Sequence, residues 1–305
     1  MGTKYRGRFA PSPTGFLHLG NIWVALISYC AARQAGGTWL LRMEDIDTQR
    51  CREEWIAAIT EDLCELGLHP DEVTARQQER TDRYREIMTD WRTAGVLYPC
   101  SCNRARLQQI ASAPHPGETV SSYDGHCRLH PPSVCTRPLS WRYAGEDGIV
   151  RYVEHGETEE QVRALQRYRD DIVVQRGDGM YNYQFAVAVD DADMGITEVV
   201  RGNDLAASTP LQVRFIRALG AAVPSYFHVP LLIDRKGQRL SKRQRGITWR
   251  EYRAAGKSAE QLVGDVLFYA GVNPQRAPRT VADAVAIPLC EWQLNRPSVQ
   301  VEDAI

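Results

Sequence analysis

The chain has 305 residues, 43% of them hydrophobic and 25% charged, with a formal net charge of −1. That is one large or two modest domains of a soluble globular protein, and it excludes a disordered or fibrous chain. With so little net charge, a nucleic-acid partner has to be met by a local basic patch, for which the Arg-rich stretches 239–253 and 163–176 are candidates.

No apolar run approaches the ~20 residues of a membrane span. Met1–Arg6 has no apolar region to act as a signal peptide, and Arg6 stands where a myristoylation motif needs Ser or Thr. A cytoplasmic protein with no membrane partner is expected. Its eight cysteines then read as thiols or metal ligands rather than disulfides.

In chain order, Arg6–Phe9 reads as a first strand and feeds a Pro- and Gly-bearing loop that ends in His18-Leu19-Gly20-Asn21. The apolar pattern from Ile22 to Ala35 predicts a helix, stopped by Gly36-Gly37. A strand, a tight turn and a helix N-terminus make a place for phosphate, because backbone N–H groups and the positive end of the helix dipole point there. Gly20 allows close backbone approach, and His18 can donate to a phosphate oxygen. Thr38–Met43 is a compact apolar run, read as a buried parallel strand, and the acidic turn Glu44–Asp47 follows it. Trp55, Ile59, Leu63 and Leu66 mark a helix over 52–66; Tyr84, Ile87, Met88 and Trp91 mark another, closed by Gly95. This order predicts an α/β fold with a doubly wound parallel sheet and ligands at the carboxyl edge of its strands.

Residues 98–150 are rich in Pro, Cys, His and Ser and have no sustained period, which reads as an insertion built on something other than an apolar core. Residues 149–154 and 172–200 return to strand-like alternation, with Val199–Gly202 a buried strand ending on a functional edge. Pro210–Gly220 and Ser258–Ala270 read as helices. The expected divisions are 1–97 and 151–235 as two halves of one catalytic body, 98–150 as the insertion, and 236–305 as a short, largely helical C-terminal region. Gly256-Lys257-Ser258 is not a Walker A loop, since Glu251 occupies the place where that pattern needs Gly.

A substrate carrying both a carboxylate and an ammonium group needs a cation and an anion. Arg8 offers a bidentate fork and Glu44 a carboxylate. Cys100-Ser101-Cys102 and Tyr123-Asp124-Gly125-His126-Cys127 place thiolates at a short spacing that fits Zn²⁺ in a four-ligand structural site. On chemistry alone the fourth ligand is His126 or Cys135. Cys30, Cys51, Cys64 and Cys290 read as packing residues.

The run Arg8–Asn21 resembles the first signature of class I aminoacyl-tRNA synthetases, in the form found in the glutamyl branch. The second signature of that branch is similar to Arg239-Leu240-Ser241-Lys242-Arg243, with Gly237 before it. A loop carrying Lys242 suits a cation that meets triphosphate as charge builds. The resemblance implies a Rossmann-like catalytic domain, with Arg8, Ala10, Ser12, Glu44, Tyr183 and Arg201 as glutamate contacts and Arg201 meeting the side-chain carboxylate. It implies His18, Gly20, Asn21, Leu240, Ser241 and Lys242 as ATP contacts, with His18, Gly20 and Lys242 serving the chemistry, and Mg²⁺ accompanying ATP. It also implies one structural zinc held by Cys100, Cys102, Tyr123 and Cys127. The chain departs from the branch at Val187, where many members have Asn, which removes a polar contact.

The stretch after Lys242 is too short for the anticodon-binding domain of a full glutamyl-tRNA synthetase. An intact core without that domain resembles the glutamyl-queuosine tRNA(Asp) synthetase family, which activates glutamate without tRNA and attaches it to queuosine at the wobble position of tRNA(Asp). The resemblance then implies L-glutamate, ATP and the anticodon loop of tRNA(Asp) as partners, and a monomer is expected. A truncated synthetase charging the tRNA 3′ end and a non-catalytic synthetase-like binding module are the alternatives.

Overall fold

The computed structural model describes residues 4–103, 105–107, 123–133, 137–238, 240 and 247–301. Its centre is a parallel sheet. Strand β1 (Arg6–Phe9) pairs with β2 (Thr38–Leu41), which pairs with β3 (Glu72–Val73). On the far side of β1 lies β9 (Glu198–Gly202), joined where Thr197 N–H donates to the Arg6 carbonyl at 2.9 Å, and β9 pairs in parallel with β10 (Ser225–Val229). The resulting order, β3-β2-β1-β9-β10, is doubly wound, as expected. The chain leaves β1 for β2 on one side and returns much later to β9 on the other, so a crevice opens at the carboxyl ends of β1 and β9.

Helix α1 (Leu19–Gln34) makes the first crossover, and Gly36 (φ 59°) ends it. It buries Trp23, Leu26, Ile27 and Cys30 with residues from nearly every side, because the sheet lies against one face and the C-terminal helices against the other. Each such apolar side chain contributes about 1.5–3 kcal/mol on burial. Helices α2 (Glu53–Glu65) and α3 (Thr81–Thr93) follow the apolar spacings that predicted them.

Residues 172–200 differ from expectation. Only β8 (Val173–Gln175) and β9 are strands, and between them Tyr183–Asp193 form helix α5. The sequence Phe-Ala-Val-Ala-Val alternates in bulk as a strand does. Yet Phe185 through Val189 are all fully buried, and a helix covered on all sides shows no 3.6-residue stripe. The start of α5 is fixed by Asn182, whose side chain accepts from Gln184 N–H at 2.8 Å.

In sequence, an antiparallel layer of β4 (Leu97–Cys100), β5 (Ser140–Tyr143) and β8 comes between the two halves of the parallel sheet. A short helix α4 (His126–Leu129) packs on β4, while the hairpin of β6 (Gly148–Val153) and β7 (Glu160–Leu165) packs on β10, with a bridge between Glu154 and Tyr226. This layer takes strands from either side of residue 150. It shares an aromatic core of Trp91, Tyr143, Phe185 and Phe215 with α3, α5 and helix α6 (Thr209–Ala218).

Near the C-terminus lie α7 (Trp249–Ala254), α8 (Ala259–Tyr269) and α9 (Val281–Ala286). Each begins with a reciprocal cap: Thr248 with Glu251, Ser258 with Gln261, and Thr280 with Asp283. A parallel pair, β11 (Leu231–Ile233) with β12 (Ser298–Gln300), ties the end of the described chain back to the residues after β10. Among the described residues, no helix is long and apolar enough to cross a membrane.

Candidate active site

Helix α1 begins three residues earlier than its apolar run implies. Asn21 reaches back and accepts from the His18 N–H at 3.3 Å, which makes His18 the cap and places Asn21 in the first turn. Gly20 has a local reason to be glycine. A Cβ there would sit 3.0 and 3.1 Å from Cε1 and Nδ1 of the His18 ring, so the missing side chain gives that imidazole its place. The preceding loop is fastened to the acidic turn: Glu44 N–H donates to Pro11 O at 3.0 Å, and Arg52 N–H donates to Pro13 O at 3.1 Å.

Behind the loop lies a buried charge network that no motif in the sequence announces. Arg42 is fully buried, with Asp191 at 2.7 Å, Glu44 at 3.1 Å and Asp190 at 3.9 Å. Asp191 also takes Nε of Arg8 at 3.1 Å and its Nη2 at 3.4 Å. The Arg8 fork, expected to be open for a substrate carboxylate, is therefore closed on Asp191 in this structure. Burial works against the Asp191 carboxylate, but the two guanidiniums outweigh it and hold its pKa below the usual range. Burial wins at Glu44, whose pKa is raised despite Arg42 and Arg8. A further cation beside Glu44 would favour its charged form. The one sequence signal for this network is a charged residue closing an apolar strand (Arg42) and an acidic pair closing an apolar helix (Asp190-Asp191).

Arg201, at the end of β9, is 5% exposed. Its Nη1 donates to Gln212 Oε1 at 2.6 Å, its Nη2 to Thr209 Oγ1 at 2.7 Å, and its Nε to His228 Nε2 at 3.2 Å. No carboxylate is among these partners. Desolvation lowers its pKa, yet a guanidinium keeps its proton, so the site holds a buried cation among neutral acceptors.

Arg8, Ala10, Ser12, His18, Gly20, Asn21, Glu44, Tyr183, Arg201 and Leu240 all border one cavity of about 300 Å³ at the carboxyl edge of the sheet. Tyr183 is the first residue of α5 and is half-buried, with desolvation raising the pKa of its hydroxyl. Val187, one turn on, is wholly buried and does not border the cavity. Ser241 and Lys242, with Arg239 and Arg243, lie outside the described residues. Both flanks of that stretch are at the site, however. Leu240 N–H donates to Leu232 O at 3.0 Å; beyond the stretch, Leu19 N–H donates to Ile247 O and Trp249 N–H to Leu17 O, each at 3.0 Å.

Away from the cavity, the Sγ atoms of Cys100, Cys102 and Cys127 lie within 4.8 Å of one another. The Tyr123 hydroxyl is 3.9 Å from Cys100 Sγ and accepts from the Cys127 N–H at 2.8 Å. His126 is exposed and its ring neighbours His130, while Cys135 lies outside the described residues. Burial opposes the Cys127 thiolate, but hydrogen bonds from Ser101 and the neighbouring thiols bring its pKa down to about 7. Burial and the Cys100 charge push Cys102 up to about 12. One thiolate is favoured and the next disfavoured, as three crowded sulfurs require when no cation offsets their charge. The donor set therefore fits a soft divalent metal.

Sheet and cavity together define a doubly wound α/β protein with a polar pocket at its switch point. Residues 4–289 match the family described as tRNA synthetases class I (E and Q), catalytic domain. The chain belongs to that family and is a ligase of the aminoacyl-tRNA synthetase class. It is 40% identical to the Glutamyl-Q tRNA(Asp) synthetase of Nitratidesulfovibrio vulgaris, over 98% of this chain and 97% of that one. It is 41% identical to Glutamate–tRNA ligase 1 of Acidithiobacillus ferrooxidans, over 85% of this chain but 55% of the relative. Among solved structures it is similar to a glutamate tRNA ligase from Elizabethkingia meningosepticum in complex with its amino acid, with a TM-score of 0.79 and 27% identity over 98% of this chain and 67% of that one.

Proposed function

We propose that this chain activates L-glutamate with ATP and transfers it to queuosine at the wobble position of tRNA(Asp). The observation that carries the amino-acid assignment is Arg201, a buried cation held by neutral partners in the same cavity as Glu44. The side-chain carboxylate of glutamate supplies the missing anion to Arg201, and its α-ammonium group adds a further cation beside Glu44. Ala10, Ser12 and Tyr183 shape the space between them. Arg8 acts through Asp191, fixing the floor of the pocket, and its charge remains close to the substrate carboxylates.

The α-carboxylate oxygen then attacks the α-phosphorus of ATP, and pyrophosphate leaves. His18, Gly20, Asn21 and the α1 N-terminus serve the phosphate side, and Leu240, Ser241 and Lys242 the nucleotide and leaving group, with Mg²⁺ on the triphosphate. In the second step a hydroxyl of the acceptor attacks the activated carbonyl and AMP leaves. The acceptor assignment is supported by two relatives named Glutamyl-Q tRNA(Asp) synthetase, which align over 97% and 88% of their own length. One structural zinc at Cys100, Cys102, Cys127 and Tyr123 belongs to the same proposal, as does a cytoplasmic monomer with a catalytic body interrupted by the insertion.

Glutamate-dependent ATP–pyrophosphate exchange without tRNA tests the first step. Transfer of labelled glutamate to tRNA(Asp) with and without queuosine, followed by mapping of the label, tests the second. Labelling of the 3′ end, or labelling that ignores queuosine, overturns the acceptor assignment.

A further inference from the structure

Arg201 is oriented from outside the pocket. The Nε–H of an arginine can only donate, so His228 Nε2, 3.2 Å away, must accept and carries no proton. The proton of the neutral ring is then on Nδ1, which lies 2.9 Å from Oε2 of Glu154 and 3.1 Å from its Oε1. Glu154 Oε1 also accepts the backbone N–H of His228 at 2.7 Å, so one carboxylate grips both the ring and the main chain of the same residue. The ring is further held parallel to Tyr226, 5° between planes, and Thr209 Oγ1 sits 3.1 Å from Nε2. Glu154 does not border the glutamate pocket. It lines a neighbouring polar cleft of about 370 Å³ with His228, Arg163 and Arg296, whereas Arg201 borders the glutamate pocket.

We propose that Glu154 and His228 are positioning residues that set Arg201 for an acidic side chain, so that selection of glutamate depends on a carboxylate outside the pocket. Glu154 holds the His228 tautomer that presents a lone pair. That lone pair, with Gln212 and Thr209, takes three of the five guanidinium N–H groups. The remaining two are left for the substrate. The opposite tautomer would set N–H against N–H and turn the guanidinium away. Because every acceptor on Arg201 is neutral, the fixed geometry does not spend its charge. This proposal rests on the reading that Arg201 meets the substrate side chain.

The test is glutamate-dependent ATP–pyrophosphate exchange by the full chain, with KM for glutamate and for ATP measured separately. His228→Phe keeps the ring against Tyr226 and removes both nitrogens. It and Glu154→Ala are expected to raise KM for glutamate about tenfold with KM for ATP unchanged. Glu154→Gln, which still offers an oxygen to Nδ1–H, should restore most of the loss. Equal rises in both KM values, or no rise with His228→Phe while Arg201→Gln raises KM for glutamate, overturn the relay and leave the reading of Arg201 standing. An unchanged KM for glutamate in Arg201→Gln overturns that reading and the relay with it. Nitrogen NMR of His228 in the wild-type protein needs no variant: a proton found on Nε2 overturns the proposal, and one on Nδ1 supports it.

Discussion

At the scale of single residues, the site works by leaving particular atoms room or charge. Gly20 is the simplest case, because its missing Cβ is the space the His18 ring uses. Gly20→Ala is expected to lower kcat/KM for ATP in the exchange assay by about tenfold to a hundredfold, the loss expected when a positioning group moves by about an ångström. Its melting temperature should hold or rise, since alanine favours a helix by about 0.5–1 kcal/mol over glycine. Asp191 is the opposite case, a carboxylate shared by two buried guanidiniums. Asp191→Asn leaves those cations under-compensated. Urea unfolding should show a loss of about 3–5 kcal/mol, the range for breaking a buried ion pair from one side. His18 and Gly20 were legible in the sequence because their chemistry is local, within one loop and one helical turn. Arg42, Asp191, Glu154 and His228 were not, because each acquires its meaning from a partner far along the chain. The separations are 149 residues for Arg42 with Asp191 and 74 for Glu154 with His228.

At the scale of elements, the cysteine knuckle and α5 show two different limits of reading by pattern. The knuckle was legible because metal ligands recur at short spacings, and the structure gathers the three predicted sulfurs. It is also joined to its surroundings by ordinary side chains. Arg142 Nε donates to Cys100 Sγ at 3.2 Å, and the Arg142 guanidinium lies 4.0 Å over the Tyr123 ring. Cys100→Ser is expected to leave less than one zinc per chain by elemental analysis and to lower the urea midpoint. Full occupancy in that variant would remove Cys100 from the ligand set. Helix α5 escaped detection for the reverse reason: burial on every side erases the periodicity by which a helix is read, and only the Asn182 cap marks its start.

At the scale of the whole molecule, a second histidine joins parts that sequence separates. His155 Nδ1 is 2.9 Å from Glu198 Oε1, the other oxygen of which accepts from the Tyr5 hydroxyl at 2.9 Å. The residues just before β1, the strand β9 and the end of the β6–β7 hairpin thus meet on one carboxylate. The hydrogen bond to Glu198 is the main cause that raises the His155 pKa above its ordinary value, against the opposing effect of burial. A raised folded pKa means that the ion pair stabilises the fold fully below the unfolded value of about 6.5 and is lost as pH rises through the folded value. The gap in urea midpoint between wild type and His155→Gln should therefore be widest in mild acid and close in mild alkali. A gap that widens with pH would contradict this assignment.

The shared carboxylate behind the pocket has a consequence for how the protein is made. Arg8 and Asp191 are 183 residues apart, and Arg42 waits for the same acid. During synthesis from the N-terminus, the first strands leave the ribosome carrying two guanidiniums whose shared counter-ion, Asp191, has not yet been translated. The cost of closing so long a loop grows only slowly with its length, but nothing can repay it until α5 exists. Residues 1–97 on their own are accordingly expected to be insoluble or unfolded by far-UV circular dichroism. In refolding of the whole chain, recovery of exchange activity should trail the return of helical signal.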